Sequence, residues 1–465
     1  ITHGAGYSQW RSNSHHLKQE LTVLVADEDP VKITRLKLNN TQGKARRLTV
    51  TYYAELVLGS ARSNSSPHIV TEYDHTQNAL LARNACNADF SKRITFLCSD
   101  RQIHGFTGNR SEFFGREGGF KMPAALARWK LSGSVGAKLD PCAALQIHVD
   151  LAANGEAEVL FLFGQGDNRT HTKEIIKKWQ QAQTLSDDWK KMRTRWSRLF
   201  NSLQVRTPEP SFDLMMNQWL LYQTLVCRIF ARCGLYQSSG AYGFRDQLQD
   251  VMALIYVEPA IARKHIVESA AHQFDLGDVL HWWHPPSGRG VRTHFSDDLL
   301  WLPYVTAYYV DVTGDKTIFD EKIPFLTGEP LGYREENRYT LYESTSQTYS
   351  LFEHCKRALN RGINSTGEHG LLLIGAGDWN DGMDRVGVRG RGESIWLSWF
   401  AIAVIESFTA LHQLWPEKLS VDIWRNKAKE LTLAIEEHGW DGKWYRRAYD
   451  DEGHPWGSSG CQECR

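Results

Sequence analysis

The sequence lacks several features that would place the protein in a special class. It has no charge surplus, because 54 Lys and Arg residues balance 54 Asp and Glu residues, and this disfavours binding to the phosphate backbone of nucleic acids. It has no uncharged apolar run of about 18 residues, so no transmembrane helix is predicted. It has neither an initiator Met nor a recognisable signal peptide, which favours a fragment or a processed chain.

Cysteine is also sparse, and the spacing of the cysteines indicates no disulfide framework. The eight residues are Cys86, Cys98, Cys142, Cys227, Cys233, Cys355, Cys461 and Cys464. This sparse pattern indicates a reducing compartment, and we expect a cytoplasmic location. Cys461 and Cys464 form a lone pair without the second pair that a tetrahedral zinc site needs, so no metal site is predicted.

Aromatic residues, in contrast, are abundant, with 17 Trp, 17 Tyr and 19 Phe. Many are expected in the core, because large flat side chains bury much apolar surface. Others can line a groove for a ligand that has a flat apolar face, such as the face of a pyranose ring. Composition alone does not separate these two roles.

Residues 1–170 are predicted to form an antiparallel β-sandwich. Apolar and polar residues alternate with a period of two in residues 15–26, 30–40 and 45–59. Residues 144–166 have the pattern of two strands joined by a turn at Asn154-Gly155. Several strands separated by polar turns are typical of a sandwich.

The pattern then changes to helices. Residues 171–210 are predicted to form a helical linker, with a helix start at Ser186-Asp187-Asp188 and a proline-rich end. Residues 211–465 are predicted to form a helical domain with long loops at one end, as in an α/α barrel. The helices expected in this domain are 212–234, 244–257, 259–274, 296–314, 348–359, 393–414 and 421–440.

The first region of functional interest, residues 234–250, enters a helix at Phe244-Arg245-Asp246. Asp246 can simply favour the helix dipole. Arg245 beside Asp246, with Asp250 one turn later, can also bind hydroxyl-rich or anionic ligands, because such groups offer several directed hydrogen bonds. This stretch alone leaves both interpretations open.

The second region, residues 281–301, combines aromatic and charged residues in a Gly/Pro loop. Its members are Trp282, Trp283, Arg289, Arg292 and the histidines His281, His284 and His294. The tryptophans can contact a substrate and the arginines can bind phosphate, whereas the histidines match no convincing metal-ligand spacing. Asp297 and Asp298 are interpreted as first-turn acids of a helix with Ser296 as its N-cap.

The third region is GDWNDGMD, residues 377–384. As an EF-hand calcium loop it fails, because Gly382 and Arg389 stand where that pattern needs an Asp or Asn and a bidentate Glu. Its Asn-Asp-Gly sequence suits a plain turn. A carboxylate that follows an apolar run and lies beside Trp379 is also expected to be partly desolvated, which suits a general acid.

Together these stretches resemble the C-terminal phosphorylase region of the cyclic β-1,2-glucan synthases and, more loosely, the cellobiose and chitobiose phosphorylases of glycoside hydrolase family 94. The similar segments are QSSGAYGFRDQLQDVMAL, HWWHPPSGRGVRTHFSDDLLWLPY, GAGDWNDGMDRVG, RGESIWL, ELTVLVADEDPVKITRLKLNN and WDGKWYRRAYDDEG. They cover essentially the whole chain. The resemblance implies a β-sandwich, a helical linker and an (α/α)6 barrel.

The resemblance also implies a reaction, an inverting phosphorolysis in which a β-glucan and inorganic phosphate give α-glucose 1-phosphate and a shorter glucan. Asp381, the second acid of the D-W-N-D motif, corresponds to the general acid, and Asp378 is expected to support the loop. Phosphate is itself the nucleophile, so the reaction needs neither a base carboxylate nor a cofactor.

The predicted binding residues come from the resemblance and from the second region. The substrate-binding set is Arg245, Asp246, Asp250, Trp379, Trp282 and Trp283. The phosphate-binding set is Arg232 and Arg292. The expected partners are therefore a β-glucan and inorganic phosphate.

Several points stay open in the sequence. The helices predicted after residue 210 are fewer than a complete barrel contains, and the family pattern continues past Arg465, so we expect an open barrel with little phosphorolysis in this chain. Alternatives are a non-catalytic module that binds glucan or gauges its length, and a hydrolase on the same barrel. The β-1,2 linkage rests on overall likeness to the synthases, which also implies a parent protein at the inner membrane; a homodimer is among the assemblies allowed.

Overall fold

The computed structural model describes residues 1–116, 118–230, 240–332, 335–414 and 421–461. The chain divides into two compact units, Ile1–Arg198 and Leu199–Arg465. The first unit is mostly β-structure and the second is mostly helical, which confirms the predicted change of structure along the chain.

The part of the first unit that the structure describes contains the strands of a sandwich and several helices, of which the last ends at Phe200. The strands are β1 (Thr2–Gly4), β2 (Tyr7–Ser14), β3 (Leu17–Val25), β4 (Val31–Asn40), β5 (Arg46–Glu55), β6 (Ile69–Asp74), β7 (Ala79–Asn84), β8 (Ile94–Ser99), β9 (Gly105–Asn109), β10 (Pro141–Leu151) and β11 (Glu156–Gly166). The helices are α1 (Arg62–Ser65), α2 (Arg110–Phe114), α3 (Arg169–Trp179) and α4 (Ala182–Phe200), and 3-10 turns lie at Ser66–His68 and Ala124–Ala127.

The strands form two antiparallel sheets that share one core. The larger sheet has eight strands in the order β1-β2-β3-β4-β11-β8-β7-β6, and the smaller has the order β5-β10-β9. Leu38, Leu97 and Phe161 of the larger sheet pack with Leu145 and Ile147 of the smaller one. The alternation read from the sequence thus places one face of β4, β8, β10 and β11 between the sheets.

The other face of the larger sheet is partly covered by helix α3. In β4, Leu38 points into the sandwich core, whereas Val31 and Ile33 join the cluster that contains Ile176 and Trp179 of α3. Strand β4 is therefore buried on both faces over part of its length. The side chain of Asn168 caps α3 by accepting a hydrogen bond from the His171 N–H.

Helix α4 begins earlier than the sequence predicted. We expected a start at Ser186-Asp187-Asp188, but the helix begins at Ala182. Leu185 and Trp189, four residues apart, pack against the same cluster as Trp179. Packing of this apolar pair extends the helix in the N-terminal direction, so that it begins before the polar start signal.

The second unit is built mainly of helices. They are α5 (Pro210–Leu214), α6 (Leu220–Gln223), α7 (Phe244–Met252), α8 (Pro259–Ala270), α9 (Trp301–Thr313), α10 (Leu351–Ile363), α11 (Ile395–Ala410) and α12 (Asp422–Ala434). Turns of π-helix lie at Met215–Trp219, Thr224–Phe230 and Ile435–Gly439. Turns of 3-10 helix lie at Asp298–Leu300, Lys316–Asp320, Asp381–Met383 and His412–Leu414.

Most of the predicted helices have different bounds in the structure, and two of them show why. The segment expected as one helix from residue 212 to 234 runs from Pro210 to Phe230 as alternating α and π segments, and its expected end at Gly234 lies outside the described residues. The helix expected to begin at residue 348 begins at Leu351, because Glu343–Ser350 is a strand. Ser350 then caps the helix by accepting from the Glu353 N–H at 3.2 Å.

Short strands stiffen the loops of this unit. They are β12 (Tyr242–Gly243), β13 (Leu280–His284), β14 (Arg289–Thr293), β15 (Lys322–Thr327), β16 (Asn337–Thr340), β17 (Glu343–Ser350), β18 (Leu372–Leu373), β19 (Glu393–Ser394), β20 (Ala448–Tyr449) and β21 (Pro455–Trp456). The region predicted as a Gly/Pro loop is thus a hairpin of β13 and β14. Over the ranges described, no helix is both long enough and apolar enough to cross a membrane.

Candidate active site

Arg245 is the centre of a buried ion-pair network in the helical unit. It is the second residue of α7, and its side chain is only 7% exposed. Its Nη1 donates to Asp297 Oδ1 at 2.8 Å and to the carbonyl oxygen of Asp378 at 2.9 Å. Its Nη2 donates to Oδ1 of Asp381. One guanidinium group therefore joins three segments that are distant in the sequence.

Two glycines shape the loop that carries Asp381. Gly375 and Gly377 have φ values of +60° and +142°, in the region that favours glycine. A Cβ on Gly375 would lie 2.2 Å from the carbonyl oxygen of His294, and one on Gly377 would lie 2.6 Å from the Phe295 ring. The loop therefore packs directly on the backbone before α9, a closeness that no larger residue permits.

Asp378 anchors this loop through hydrogen bonds made by its buried side chain. Its side chain is fully buried, and it accepts hydrogen bonds from the Asn380 N–H at 3.0 Å, from Ser394 Oγ at 2.6 Å and from Arg447 Nη2 at 2.5 Å. Ser394 is also the N-cap of α11. The expectation that Asp378 supports the loop is confirmed by these bonds.

Asp381 lies at the open end of the same loop. It begins a 3-10 turn that Asn380 caps by accepting from the Gly382 N–H at 3.0 Å. Its side chain is 61% exposed. The desolvation predicted for a carboxylate beside Trp379 applies to Asp378, which is buried, whereas the polar turn carries the Asp381 side chain towards solvent. Asp381 is accessible to a ligand and oriented by Arg245.

Two buried carboxylates lie next to the Arg245 guanidinium group. Asp297 and Asp298 are 0% and 2% exposed. Asp297 Oδ2 accepts from Trp301 Nε1 at 3.1 Å, and Asp298 Oδ2 lies 2.7 Å from His281 Nδ1. Burial raises the pKa of Asp297, and the charge of Asp298 adds to this rise, while Arg245 opposes it.

The same cluster of charged groups changes the pKa of His281. Burial alone would lower the pKa of His281, but the charge and hydrogen bond of Asp298 outweigh burial, and the pKa is raised. The imidazole lies flat on the Phe295 ring, with the ring centroids 4.3 Å apart and the planes 5° from parallel.

These buried acids were missed as site residues. The sequence interpretation made Ser296 an N-cap, but its Oγ donates to the carbonyl oxygens of Ile374 and Gly377 at 2.9 and 3.1 Å. Ser296 therefore holds the acid loop instead of the helix. The available signal was an Asp-Asp pair directly before the apolar run Leu299–Trp301, since such a run draws its neighbours into the core.

The predicted tryptophans lie in three different environments. Trp379 is 53% exposed beside Asp381, and its Nε1 donates to Gln249 Oε1 at 3.2 Å. Trp282 is half-buried and lies near Tyr339, with 5.4 Å between ring centroids. Trp283 is 1% exposed and stacks on His272 at 3.9 Å. Its prediction as a substrate-binding residue is wrong, because adjacent residues of β13 point to opposite faces and Trp283 faces the core.

Arg292 is also a core residue, so its prediction as a phosphate-binding residue is wrong. Its side chain is 1% exposed and forms a bidentate pair with Asp278, with Nε and Nη2 at 2.7 and 2.9 Å from the carboxylate oxygens. Nη1 donates to the carbonyl oxygens of Gly328 and Glu329 at 3.1 and 2.9 Å. The guanidinium stacks over Phe274 at 3.7 Å, which leaves no face for a phosphate.

Three predicted site residues remain, Asp246, Asp250 and Arg232. Asp250 accepts from Arg228 Nε at 2.9 and 3.1 Å, so an ion pair occupies it in this structure. Asp246 is half-buried in the first turn of α7. Arg232, predicted to contact phosphate, lies outside the described residues.

Metal ligands do not gather at this site. In the ranges that the structure describes, no group of three or more His, Cys, Asp or Glu side chains is arranged to hold a metal ion. Cys98, Cys142 and Cys355 are buried free thiols. The groups that the described site offers for acid–base and hydrogen-bonding chemistry centre on Asp381 and Arg245.

Comparison with known proteins agrees with both units. The family model described as the glycosyl hydrolase 94 superfamily catalytic domain matches residues 195–465, and the glycosyl hydrolase 94 supersandwich domain matches residues 1–182. The chain is 40% identical over 464 residues to the cyclic β-(1,2)-glucan synthase NdvB of Rhizobium meliloti (strain 1021), covering 100% of this chain and 16% of that protein. It is 27% identical over 470 residues to the solabiose phosphorylase of Paenibacillus borealis, covering 99% of this chain and 57% of that protein.

A solved structure supports the fold. A bacterial glucoamylase in complex with acarbose superposes with a TM-score of 0.57 at 11% sequence identity, covering 95% of this chain and 61% of that one. The architecture is thus the predicted one, an antiparallel β-sandwich followed by a helical domain of the (α/α)6-barrel type. The chain spans less than two thirds of each of these relatives.

Proposed function

The chain belongs to glycoside hydrolase family 94, and we propose that it provides the acid site of an inverting glycoside phosphorylase that acts on a β-glucan. The observation that carries the proposal is the geometry of Asp381. Its carboxylate is exposed at the end of a rigid loop, is oriented by a buried arginine and lies beside an exposed indole ring. This arrangement presents one proton donor to a bound sugar.

In the proposed reaction, the protonated Asp381 donates its proton to the glycosidic oxygen as the bond from that oxygen to the anomeric carbon breaks. An oxygen of inorganic phosphate attacks the anomeric carbon from the opposite face and forms the new bond. The products are α-glucose 1-phosphate and a glucan shortened by one residue, and Asp381 is left ionised. An inverting hydrolase would need a second carboxylate roughly 6.5–9.5 Å away to activate water, whereas phosphate is already an anionic nucleophile.

Trp379 and Gln249 are the proposed contacts for the reacting sugar. The bond from Trp379 Nε1 to Gln249 Oε1 fixes the indole plane, and about half of the ring surface stays exposed. A flat apolar ring of this kind suits the apolar face of a pyranose. We propose that Arg245 acts mainly by orienting Asp381, because the arginine itself is buried.

For the linkage we propose β-1,2. The support is the 40% identity over the whole chain with a protein named as a cyclic β-(1,2)-glucan synthase, compared with 27% for solabiose phosphorylase. The acid loop itself carries no linkage information, because the group that it protonates is present in every β-glucoside.

The test uses the protein expressed from its full natural reading frame. It is incubated with inorganic phosphate and a panel of β-1,2-, β-1,3- and β-1,4-glucans, and glucose 1-phosphate is measured. We expect release from the β-1,2-glucan and a loss of at least about 10²-fold in Asp381→Asn, in keeping with removal of a general acid. The matched control is Asp384→Asn, whose carboxylate is 57% exposed in the same loop and should keep activity within about twofold of the parent.

Each other outcome contradicts a defined part of the proposal. Free glucose without phosphate would indicate a hydrolase. Glucan binding without any turnover would indicate a binding or length-gauging module. Equal loss of activity in Asp381→Asn and Asp384→Asn would remove Asp381 from the role of acid.

A further inference from the structure

The strongest unexplained feature near the site is a buried pair, His281 and Asp298. His281 Nδ1 lies 2.7 Å from Asp298 Oδ2, and the two side chains are 16% and 2% exposed. Asp298 Oδ1 lies 3.9 Å from Arg245 Nε and has no hydrogen-bond partner in the described part of the chain. A buried carboxylate oxygen left without a hydrogen bond is costly, so its retention beside Arg245 calls for an explanation.

The charge balance around Arg245 supplies that explanation. Three carboxylates, those of Asp297, Asp298 and Asp381, face one guanidinium group. If Arg245 met Asp381 alone, its full positive charge would favour the ionised form of the acid, which cannot donate a proton. The two buried carboxylates, Asp297 and Asp298, offset part of that charge and leave the N–H group directed at Asp381 in place.

The Phe295 ring ties this pair mechanically to the acid loop. The His281 imidazole stacks on the Phe295 ring. The centroid of the same ring lies 5.6 Å from the guanidinium carbon of Arg245. The same ring is the surface on which Gly377 packs. A change at His281 therefore reaches the loop through packing as well as through charge.

We propose that His281 and Asp298 are a positioning pair for Asp381: His281 holds the Asp298 carboxylate in place by a hydrogen bond, and Asp298 offsets the charge of Arg245 so that the arginine orients Asp381 in its proton-donating form. This inference rests on the proposed function, because it assigns the pair to the acid of that reaction. The charged groups that face His281 are Asp298 before α9, Arg245 of α7 and Asp381 of the acid loop. Neither His281 nor Asp298 needs to touch the substrate.

The direction of the effect follows from the signs of the charges. Asp298→Asn removes one negative charge near Arg245 and keeps the side-chain volume. The remaining guanidinium charge then favours ionised Asp381, so the acid loses its proton at lower pH. We expect the alkaline limb of the kcat/KM profile to move down by about one pH unit, the scale of a single charge within a few ångströms.

The experiment compares pH profiles of phosphorolysis in the full natural protein at saturating phosphate. His281→Ala should shift the alkaline limb in the same direction as Asp298→Asn, because Asp298 loses the hydrogen bond that holds it beside Arg245. His281→Asn keeps an N–H donor near the position of Nδ1, and should recover at least half of the shift. The ionisation of phosphate is the same in every variant, so differences between profiles report the protein.

The outcomes separate this inference from the proposed function. An alkaline limb unchanged in both Asp298→Asn and His281→Ala, even with a lower kcat, would refute the pair as positioning residues and leave a structural role. If Asp298→Asn fails to fold, the comparison of His281→Ala with His281→Asn still tests the proposal. Equal shifts of the alkaline limb in these two variants would refute the role of the pair. Failure of the unmodified protein to form glucose 1-phosphate would instead refute the proposed function.

Discussion

Replacing Arg245 by methionine should destabilise the helical unit more than any single surface change. The substitution keeps much of the side-chain volume but removes the donors to Asp297, Asp381 and the carbonyl oxygen of Asp378. It leaves Asp297 buried without a cation and leaves Asp298 with His281 alone as its partner. The exposed Asp381 can turn to water, so the buried acids carry most of the effect.

The expected magnitude is about 3–5 kcal/mol, the cost of removing one partner from a buried ion pair. An opening equilibrium shifted by this amount speeds amide exchange by roughly 10²- to 4 × 10³-fold, because about 1.4 kcal/mol corresponds to a factor of ten. The control is Arg385→Met, which removes an 81% exposed arginine whose ion pair with Asp384 has an N–O distance of 4.0 Å. A pair so exposed contributes little to stability.

The effect should also depend on pH in a defined direction. The pKa of Asp297 in the folded protein is raised, chiefly by burial, and Arg245 counteracts part of that rise. A carboxyl group with a raised folded pKa costs stability as the pH rises above its ordinary value of 3.8. Without Arg245 the rise is larger, so we expect Arg245→Met to be more damaging at pH 8 than at pH 5.

The assay is hydrogen–deuterium exchange by mass spectrometry on peptides from α7 and from residues 374–384, corrected for the intrinsic pH dependence of exchange. Faster exchange in Arg245→Met, greater at pH 8, is the expected result. Equal protection in Arg245→Met and Arg385→Met at both pH values would refute the argument that the buried acids depend on this arginine.

Two further predictions concern residues that the sequence placed in binding roles. Arg292→Met should lower the free energy of unfolding by several kcal/mol, because it leaves Asp278 unpaired. The KM for phosphate in the active protein should stay within about twofold of the parent value. A selective rise in that KM would contradict the core role of Arg292. Trp379→Phe should raise the KM for glucan several-fold with a smaller change in kcat, since it removes the hydrogen bond to Gln249 and keeps an aromatic face. Steady-state kinetics measure both constants. An unchanged KM would exclude the indole from the sugar contact.

Local pattern was enough to predict much of the fold. The alternation in residues 30–40 matches β4, and the Asn154-Gly155 turn joins β10 and β11 as expected. Helix starts were less predictable: α4 begins before its polar start signal and α10 begins after a strand that the sequence pattern concealed. Burial of Leu185 and pairing of β17 with β15 decided these boundaries, and both are tertiary effects.

The candidate site divides in the same way. The sequence alone determined the identity of the acid loop, because the glycines, the tryptophan and the order of the acids lie within one short stretch. Tertiary structure decided which acid is exposed and which is buried, with Asp381 open to solvent and Asp378 enclosed by Ser394 and Arg447.

Tertiary structure also decided the fate of the charged and aromatic residues around that loop. A period of two shows that Trp282 and Trp283 point in opposite directions, but only the packed hairpin shows which one enters the core. The composition of the chain cannot show that Arg292 is enclosed by Asp278, or that Asp298 lies behind Arg245. Each depends on contacts between segments far apart in sequence, and the free energy of burying a charge is set by the partner that it meets there.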